Sequence, residues 1–236
     1  MACSGGPDGI SDGLVLALDA ANKVSYPGTG TSWYDLSNNV YIGTLTNGPT
    51  FNGANGGSIV FDGVDDYVSV SSAQSLNPGT NSFTIDYWCK INSSNYSCAL
   101  EARGTNLHGF LAIAYYLGGY ISLFLNGTND VGQNVYLSTT TPVQFNVWNY
   151  QTIVVDRSTQ QIIFYYNGYQ TGNRVNITDT GTIDPGSGYR YWIGGDLGGA
   201  PMNGNIPILR QYNRALTAAE ILQNYNDTKT RFGILS

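Results

Sequence analysis

The sequence predicts an all-β protein built from many short antiparallel strands, a sandwich or a barrel. Three observations point there. Glycine (30 residues) and tyrosine (18) are abundant and only 11% of residues are charged, below the usual quarter, so the polar surface falls to Asn, Ser, Thr, Gly and Tyr. Short apolar runs recur along the chain with turn signals such as Asn-Gly, Gly-Gly and Asp-Pro-Gly between them. The segment Phe83–Ile91 alternates with a period of two: Phe83, Ile85, Tyr87, Cys89 and Ile91 share one face, while Thr84, Asp86, Trp88 and Lys90 share the other. A chain of 236 residues can bury a substantial core as one unit. Residues 13–236 read as a single domain. Residues 1–12, rich in Gly and Ser, read as a flexible arm that orders on binding.

The elements follow in order. GLVLALDA opens the domain, and SIVFDG and DYVSV flank three clustered carboxylates, Asp62, Asp65 and Asp66. A strand ending at Phe61, the turn dipeptide Asp62-Gly63 and a second strand from Tyr67 predict a hairpin with the carboxylates at its tip. In SFTIDYWCKI the Phe83 face is the predicted core, and Trp88, on the other face, is either packed under a loop or exposed for a ligand. If residues 92–95 form a four-residue turn, Cys89 faces Cys98 across a hairpin, as two buried thiols or as a disulfide. GFLAIAYYLGGYISLFLNG predicts a hairpin about Gly118-Gly119, and QTIVVDRSTQQIIFYYNG one about residues 156–160. Pro207 cannot donate a ladder hydrogen bond and predicts an edge strand or a bulge. Near the end, Thr217 and Glu220 form a T-x-x-E capping box with Leu216 and Ile221 at the staple positions. This predicts a helix of about two turns ending near Asn226 and docked on the sandwich.

Charge and cysteine usage exclude several function classes. The net charge is −6, from 10 basic and 16 acidic residues, with no Lys/Arg cluster to neutralise phosphates, so no nucleic-acid partner is expected. No run approaches the ~18 apolar residues of a membrane span. The opening MACSGGPDGISDG has neither the basic start nor the apolar stretch of a secretory signal, so the protein is expected inside the cell or released by another route, such as particle assembly and lysis. Cys3, Cys89 and Cys98 are odd in number and hold no C-x-x-C pair, which argues against zinc.

Two stretches carry a family resemblance. SIVFDGVDDYVSV resembles the opening of concanavalin-A-like, laminin-G-like jelly-roll domains, and GNIPILRQYNRALTAAEILQNYN resembles their closing strand, turn and short capped helix. The leading GLVLALDAANKVSYPGTGTSWYDLSNN and the closing NYNDTKTRFGI are similar to such domains in the virion structural proteins of tailed bacteriophages. The resemblance covers residues 12–234. It implies a two-sheet antiparallel jelly roll with one short C-terminal helix, and a binding role toward glycans, proteins or neighbours in an assembly. On that basis the expected partners are other virion proteins of capsid or tail and host-surface glycans, with homo-oligomerisation, at the surface of a phage particle. Some members hold calcium near the loop that corresponds to Asp62, Asp65 and Asp66, and Asp196 is a candidate outside ligand. Here the closing strand reads Gly204-Asn205-Ile206-Pro207-Ile208, which lacks the acids that members often carry there.

The sequence offers little catalytic chemistry. Glycoside hydrolases of this fold use a Glu-x-Asp-x-x-Glu strand, because one carboxylate must act as acid and a second, ~5–9 Å away, as nucleophile or base. Only two glutamates exist, Glu101 and Glu220; Glu220 belongs to the capping box and Glu101 has no acid within ten residues. The only histidine, His108, has no nucleophile elbow beside it. No enzyme is expected. Asp62, Asp65 and Asp66 remain either backbone caps or calcium ligands, since Ca²⁺ takes six to eight oxygens. Candidate ligand-binding aromatics are Trp88, Tyr115, Tyr116 and Tyr120 around the Gly118-Gly119 turn, and Tyr191 and Trp192.

Overall fold

A computed structural model describes residues 9–70, 73–92, 96–130, 134–138, 143–177, 180–184, 186, 188–195 and 199–235. The predictions on Cys3, the loop at 93–95 and Asp196 lie outside the described residues. The strands are β1 (Leu14–Asp19), β2 (Ser32–Tyr34), β3 (Ile42–Thr46), β4 (Thr50–Asn52), β5 (Ser58–Asp62), β6 (Tyr67–Val70), β7 (Phe83–Ile91), β8 (Ser97–Arg103) and β9 (Gly109–Tyr116). They continue with β10 (Tyr120–Asn126), β11 (Asn134–Leu137), β12 (Asn149–Asp156), β13 (Gln161–Tyr166), β14 (Tyr169–Gln170), β15 (Val175–Asn176), β16 (Arg190–Ile193) and β17 (Asn203–Tyr212), followed by the helix α1 (Ala218–Lys229). The chain is an all-β antiparallel sandwich of two sheets with one short C-terminal helix, in agreement with the sequence. Sheet A runs β14-β13-β12-β7-β17-β5-β4, with β1 and β15 attached to β17 and β13; sheet B runs β11-β10-β9-β8-β16-β6-β3-β2. Among the described residues no helix is long and apolar enough to cross a membrane.

The core between the sheets follows from strand alternation. Phe83, Ile85, Tyr87, Cys89 and Ile91 of β7 enter it as the two-residue period requires, and Phe83 meets Phe110 of sheet B at 4.8 Å between ring centroids. The two predicted hairpins form: β9 and β10 pair about Gly118-Gly119, and β12 and β13 close with Asp156 opposite Gln161. Both glycines take positive φ, a conformation that carries little penalty without a Cβ.

Two other expected hairpins do not form. β5 belongs to sheet A and β6 to sheet B, so the Asp62–Asp66 segment carries the chain from one sheet to the other. β7 and β8 likewise lie in different sheets. Cys89 and Cys98 are therefore not cross-strand neighbours; both are buried thiols outside any disulfide, and burial pushes the Cys89 thiol upward. The physical reason is shared. A short polar turn serves a hairpin and an inter-sheet crossover equally, and the choice is made by distant pairing partners.

A second layer covers the outer face of sheet A. Trp88, Tyr150, Val154, Ile163, Ile208 and Tyr212 pack under α1 and the segment after it, against Ile221, Tyr225 and Phe232. Trp88 is therefore fully buried, beneath a helix rather than a loop, and its indole donates to Thr228 Oγ1 at 2.8 Å. Arg210 Nε donates to Asp86 Oδ1 at 2.7 Å, and Asn224 Nδ2 donates to Asp86 Oδ2 at 3.1 Å. α1 starts with the predicted capping box, and Leu216 and Ile221 are both buried. It runs past Asn226 to Lys229, twelve residues, because Thr228 in its last turn is held by Trp88. Pro207 sits at a bulge: β17 loses register with β7 between Asn205 and Ile208, and the Pro207 carbonyl accepts from Ala20. β17 is central, flanked by β5 and β7, so the bulge and not an edge accommodates the proline.

Candidate functional site

The crossover at Asp62–Asp66 is shaped by its own carboxylates. Asp62 Oδ1 accepts the Val64 N–H at 2.8 Å, and Asp66 Oδ2 accepts the Asp62 N–H at 2.9 Å. Gly63 turns with φ +82, and a Cβ there would lie 2.7 Å from the Asn203 Cβ, so a larger residue does not fit. Asn47, in the turn after β3, donates its amide to the Asp65 carbonyl at 3.0 Å. The three carboxylates each place an oxygen within 4.8 Å of the others; Asp62 and Asp65 are exposed and Asp66 is buried. Burial, together with the charges of Asp62 and Asp65, raises the Asp66 carboxyl above its usual range, against the Asp62 N–H that lowers it. The donor set is all oxygen and suits a hard cation such as Ca²⁺. Two of its six oxygens already accept backbone N–H groups.

Sheet B brings an aromatic pair to the same place. Trp192 opposes Ser69 in the β16–β6 ladder, which sets it diagonal to Tyr67 on the outward face. The two rings stack at 4.3 Å between centroids with planes 28° apart. The chain leaves β16 through Gly195, where a Cβ would lie 2.9 Å from the Tyr67 Cβ, so glycine permits this approach. A cleft of about 400 Å³ opens here, lined by Asn47, Val64, Asp65, Asp66, Tyr67 and Trp192, with Gly195, Gly199 and Pro201 on its far wall. The Arg190 guanidinium lies 5.5 Å from the centre of the Trp192 ring.

The remaining predicted site residues divide. Tyr191 is 1% exposed in the core and donates to Gln211 Oε1, so it presents no face to a ligand; its neighbours in the strand alternate inward and outward, which sends Trp192 out and Tyr191 in. Trp88 is withdrawn in the same way by α1. Tyr115 is half-buried against Phe145, and Tyr120 is half-buried at the start of β10. Tyr116 stacks on Tyr96 at 4.8 Å and packs against the cluster that holds Ala200. Asn47 and Tyr67 escaped the sequence reading. Alternation in Tyr67-Val68-Ser69-Val70 was the signal for Tyr67; Asn47 carried none.

Both glutamates are engaged structurally. Glu101, fully buried, accepts from Arg103 Nε at 2.8 Å and Arg190 Nη2 at 3.0 Å. Glu220 is bonded by Arg214 and by the Thr217 backbone and hydroxyl, which hold its carboxyl down to about 2. His108 lies near Asn106 and the Asp184 carbonyl, with no hydroxyl nucleophile among its contacts.

Comparison with known proteins fits this architecture. The profile of the concanavalin A-like lectin/glucanases superfamily, in its laminin-G-like form, matches residues 62–222, and the chain belongs to that superfamily. The binding domain of Paraclostridial Mosquitocidal Protein 1 superposes with a TM-score of 0.71 at 16% identity, over 91% of this chain and 52% of that one. The binding domain of botulinum neurotoxin DC, solved with rat synaptotagmin II, gives 0.68 at 14% identity over 93% and 52%. A structure of botulinum neurotoxin type C, described as dependent on two ganglioside molecules for cell entry, gives 0.67 at 14% over the same shares. At these identities the likeness is one of fold, and the chain spans about half the length of those domains. No curated protein sequence matches the chain.

Proposed function

We propose that the protein is a non-enzymatic binding module, a jelly-roll unit at the surface of a phage particle that contacts other virion proteins of head or tail. The observation that carries the non-enzymatic part is the state of Glu101. It is the one glutamate on a strand, and two arginines close over it, so it is not open to serve in the Glu-x-Asp-x-x-Glu arrangement of the fold's glycoside hydrolases. The virion part is supported by the resemblance of the leading and closing segments to tailed-phage structural proteins and by the low charge. Residues 13–236 act as the folded unit and residues 1–12 as a docking arm. Gold-labelled antibody on purified particles tests this: label on heads or tails is expected, and unlabelled particles beside free protein would refute it.

A second reading, glycan binding at the cleft, is favoured by the Tyr67–Trp192 pair beside the Asn47 amide and two carboxylates. The structural neighbours include a binding domain described in complex with rat synaptotagmin II and a neurotoxin whose cell entry is described as dependent on two ganglioside molecules. Calcium held by Asp62, Asp65 and Asp66 would order the rim of that cleft. A glycan array read with and without calcium tests it; no binding in either condition would remove this reading.

A further inference from the structure

We propose that the cleft between the β5–β6 crossover and the exit of β16 receives a primary ammonium group on an apolar stem, the side chain of a lysine on a partner protein. This deepens the binding role proposed above and rests on it. Asp66 is 4% exposed and lines the cleft, and its Oδ2 accepts the Asp62 N–H. A largely buried carboxylate beside a second carboxylate is costly unless a cation meets it. Asp65 lines the same space, and among the described residues no lysine or arginine does. Arg190, whose guanidinium lies 5.5 Å from the centre of the Trp192 ring, spends its Nε and Nη2 on Glu101.

The other walls suit the rest of a lysine. Tyr67 and Trp192 offer aromatic surface, which attracts an ammonium by its ring quadrupole. Val64, 73% exposed, and Pro201 provide apolar contact for a methylene stem. A bare metal ion uses neither feature, and about 400 Å³ is far larger than such an ion needs. The charge of the whole chain, −6, favours approach of a basic partner.

The test is a backbone-amide NMR titration of the full chain with Nα-acetyl-lysine methylamide. Saturable shifts at residues 47, 65–67 and 192–195 are expected. Neutralising the ε-amine, as in Nα,Nε-diacetyl-lysine methylamide, should weaken binding by about tenfold or more, the scale of one charge-assisted hydrogen bond. Asp66→Asn keeps an acceptor for the Asp62 N–H and should weaken the lysine probe similarly; Asp65→Asn, on an exposed side chain, is the second variant. Equal shifts from the acetylated probe, or unchanged affinity in both variants, would overturn the inference. So would a stronger response to glucosamine, which would assign the cleft to an amino sugar, or saturation by calcium with no competition from the lysine probe. Glycan or particle binding with no amine response would overturn the lysine assignment alone and leave the proposed function standing.

Discussion

The outer face of sheet A and the cleft edge of sheet B are made from the same residue types and end in opposite states. Each combines a tryptophan with tyrosine and aspartate: Trp88, Tyr150, Tyr212 and Asp86 on one side, Trp192, Tyr67, Asp65 and Asp66 on the other. On sheet A the aspartate has its arginine at 2.7 Å and the aromatics lie under α1, so the set is closed. On sheet B no basic residue among those described lines the cleft and no helix covers it. A strand places the tryptophan and tyrosine side chains outward in both cases. Whether Trp88 becomes core or binding surface depends on a covering element more than a hundred residues away.

The largest effect should come from opening the closed side. Asp86→Ala leaves Arg210 buried without its carboxylate and should cost about 3–5 kcal/mol, read by chemical denaturation. Asp65→Asn on the cleft side should stay within about 0.5 kcal/mol. Equal costs would erase the distinction between the two faces. Next in size is the cap that holds the cover: Thr217→Ala should cost about 1 kcal/mol, measured the same way.

Acid should act on that same cap. Glu220 is depressed from the ordinary 4.5 to about 2, so its contribution is complete above pH ~4.5 and fades as the pH falls toward 2. Glu220→Gln should flatten stability across that window, by less at high salt because the side chain is a quarter exposed. The smallest effect belongs to Asp66, whose carboxyl is raised. Its ionisation therefore opposes folding, and the penalty grows as the pH rises above 3.8. Asp66→Asn should be more stable than wild type at pH 7, on the order of 0.5 kcal/mol, with the gain disappearing in acid. A loss at pH 7 would mean that Asp66 already has a cationic partner.

Much of the fold could be read from the sequence because its signals are local. The alternation of Phe83–Ile91, the Gly118-Gly119 turn and the Thr217–Glu220 box each fix geometry within a few residues, and each is found as expected. What could not be read is set by distant pairing. Asp62-Gly63 is an equally good turn for a hairpin or for a passage between sheets, and the choice rests on β5 finding β17 and β6 finding β16. Trp88 was correctly placed on the outward face, but its cover comes from residues 221–232. The carboxylates of the cleft were visible as a cluster. Their aromatic neighbours were separable into Tyr191 and Trp192 only by the inward or outward sense of β16, which the sequence alone left open.

The most direct measurement is the indole N–H spectrum of the four tryptophans during titration with the lysine probe and, separately, with glycans drawn from the array. The Trp192 resonance is expected to move with the ligand that binds, while Trp88, bonded to Thr228 beneath α1, stays fixed. Movement of Trp88 with Trp192 unchanged would place binding on the face described here as closed, and would contradict the account.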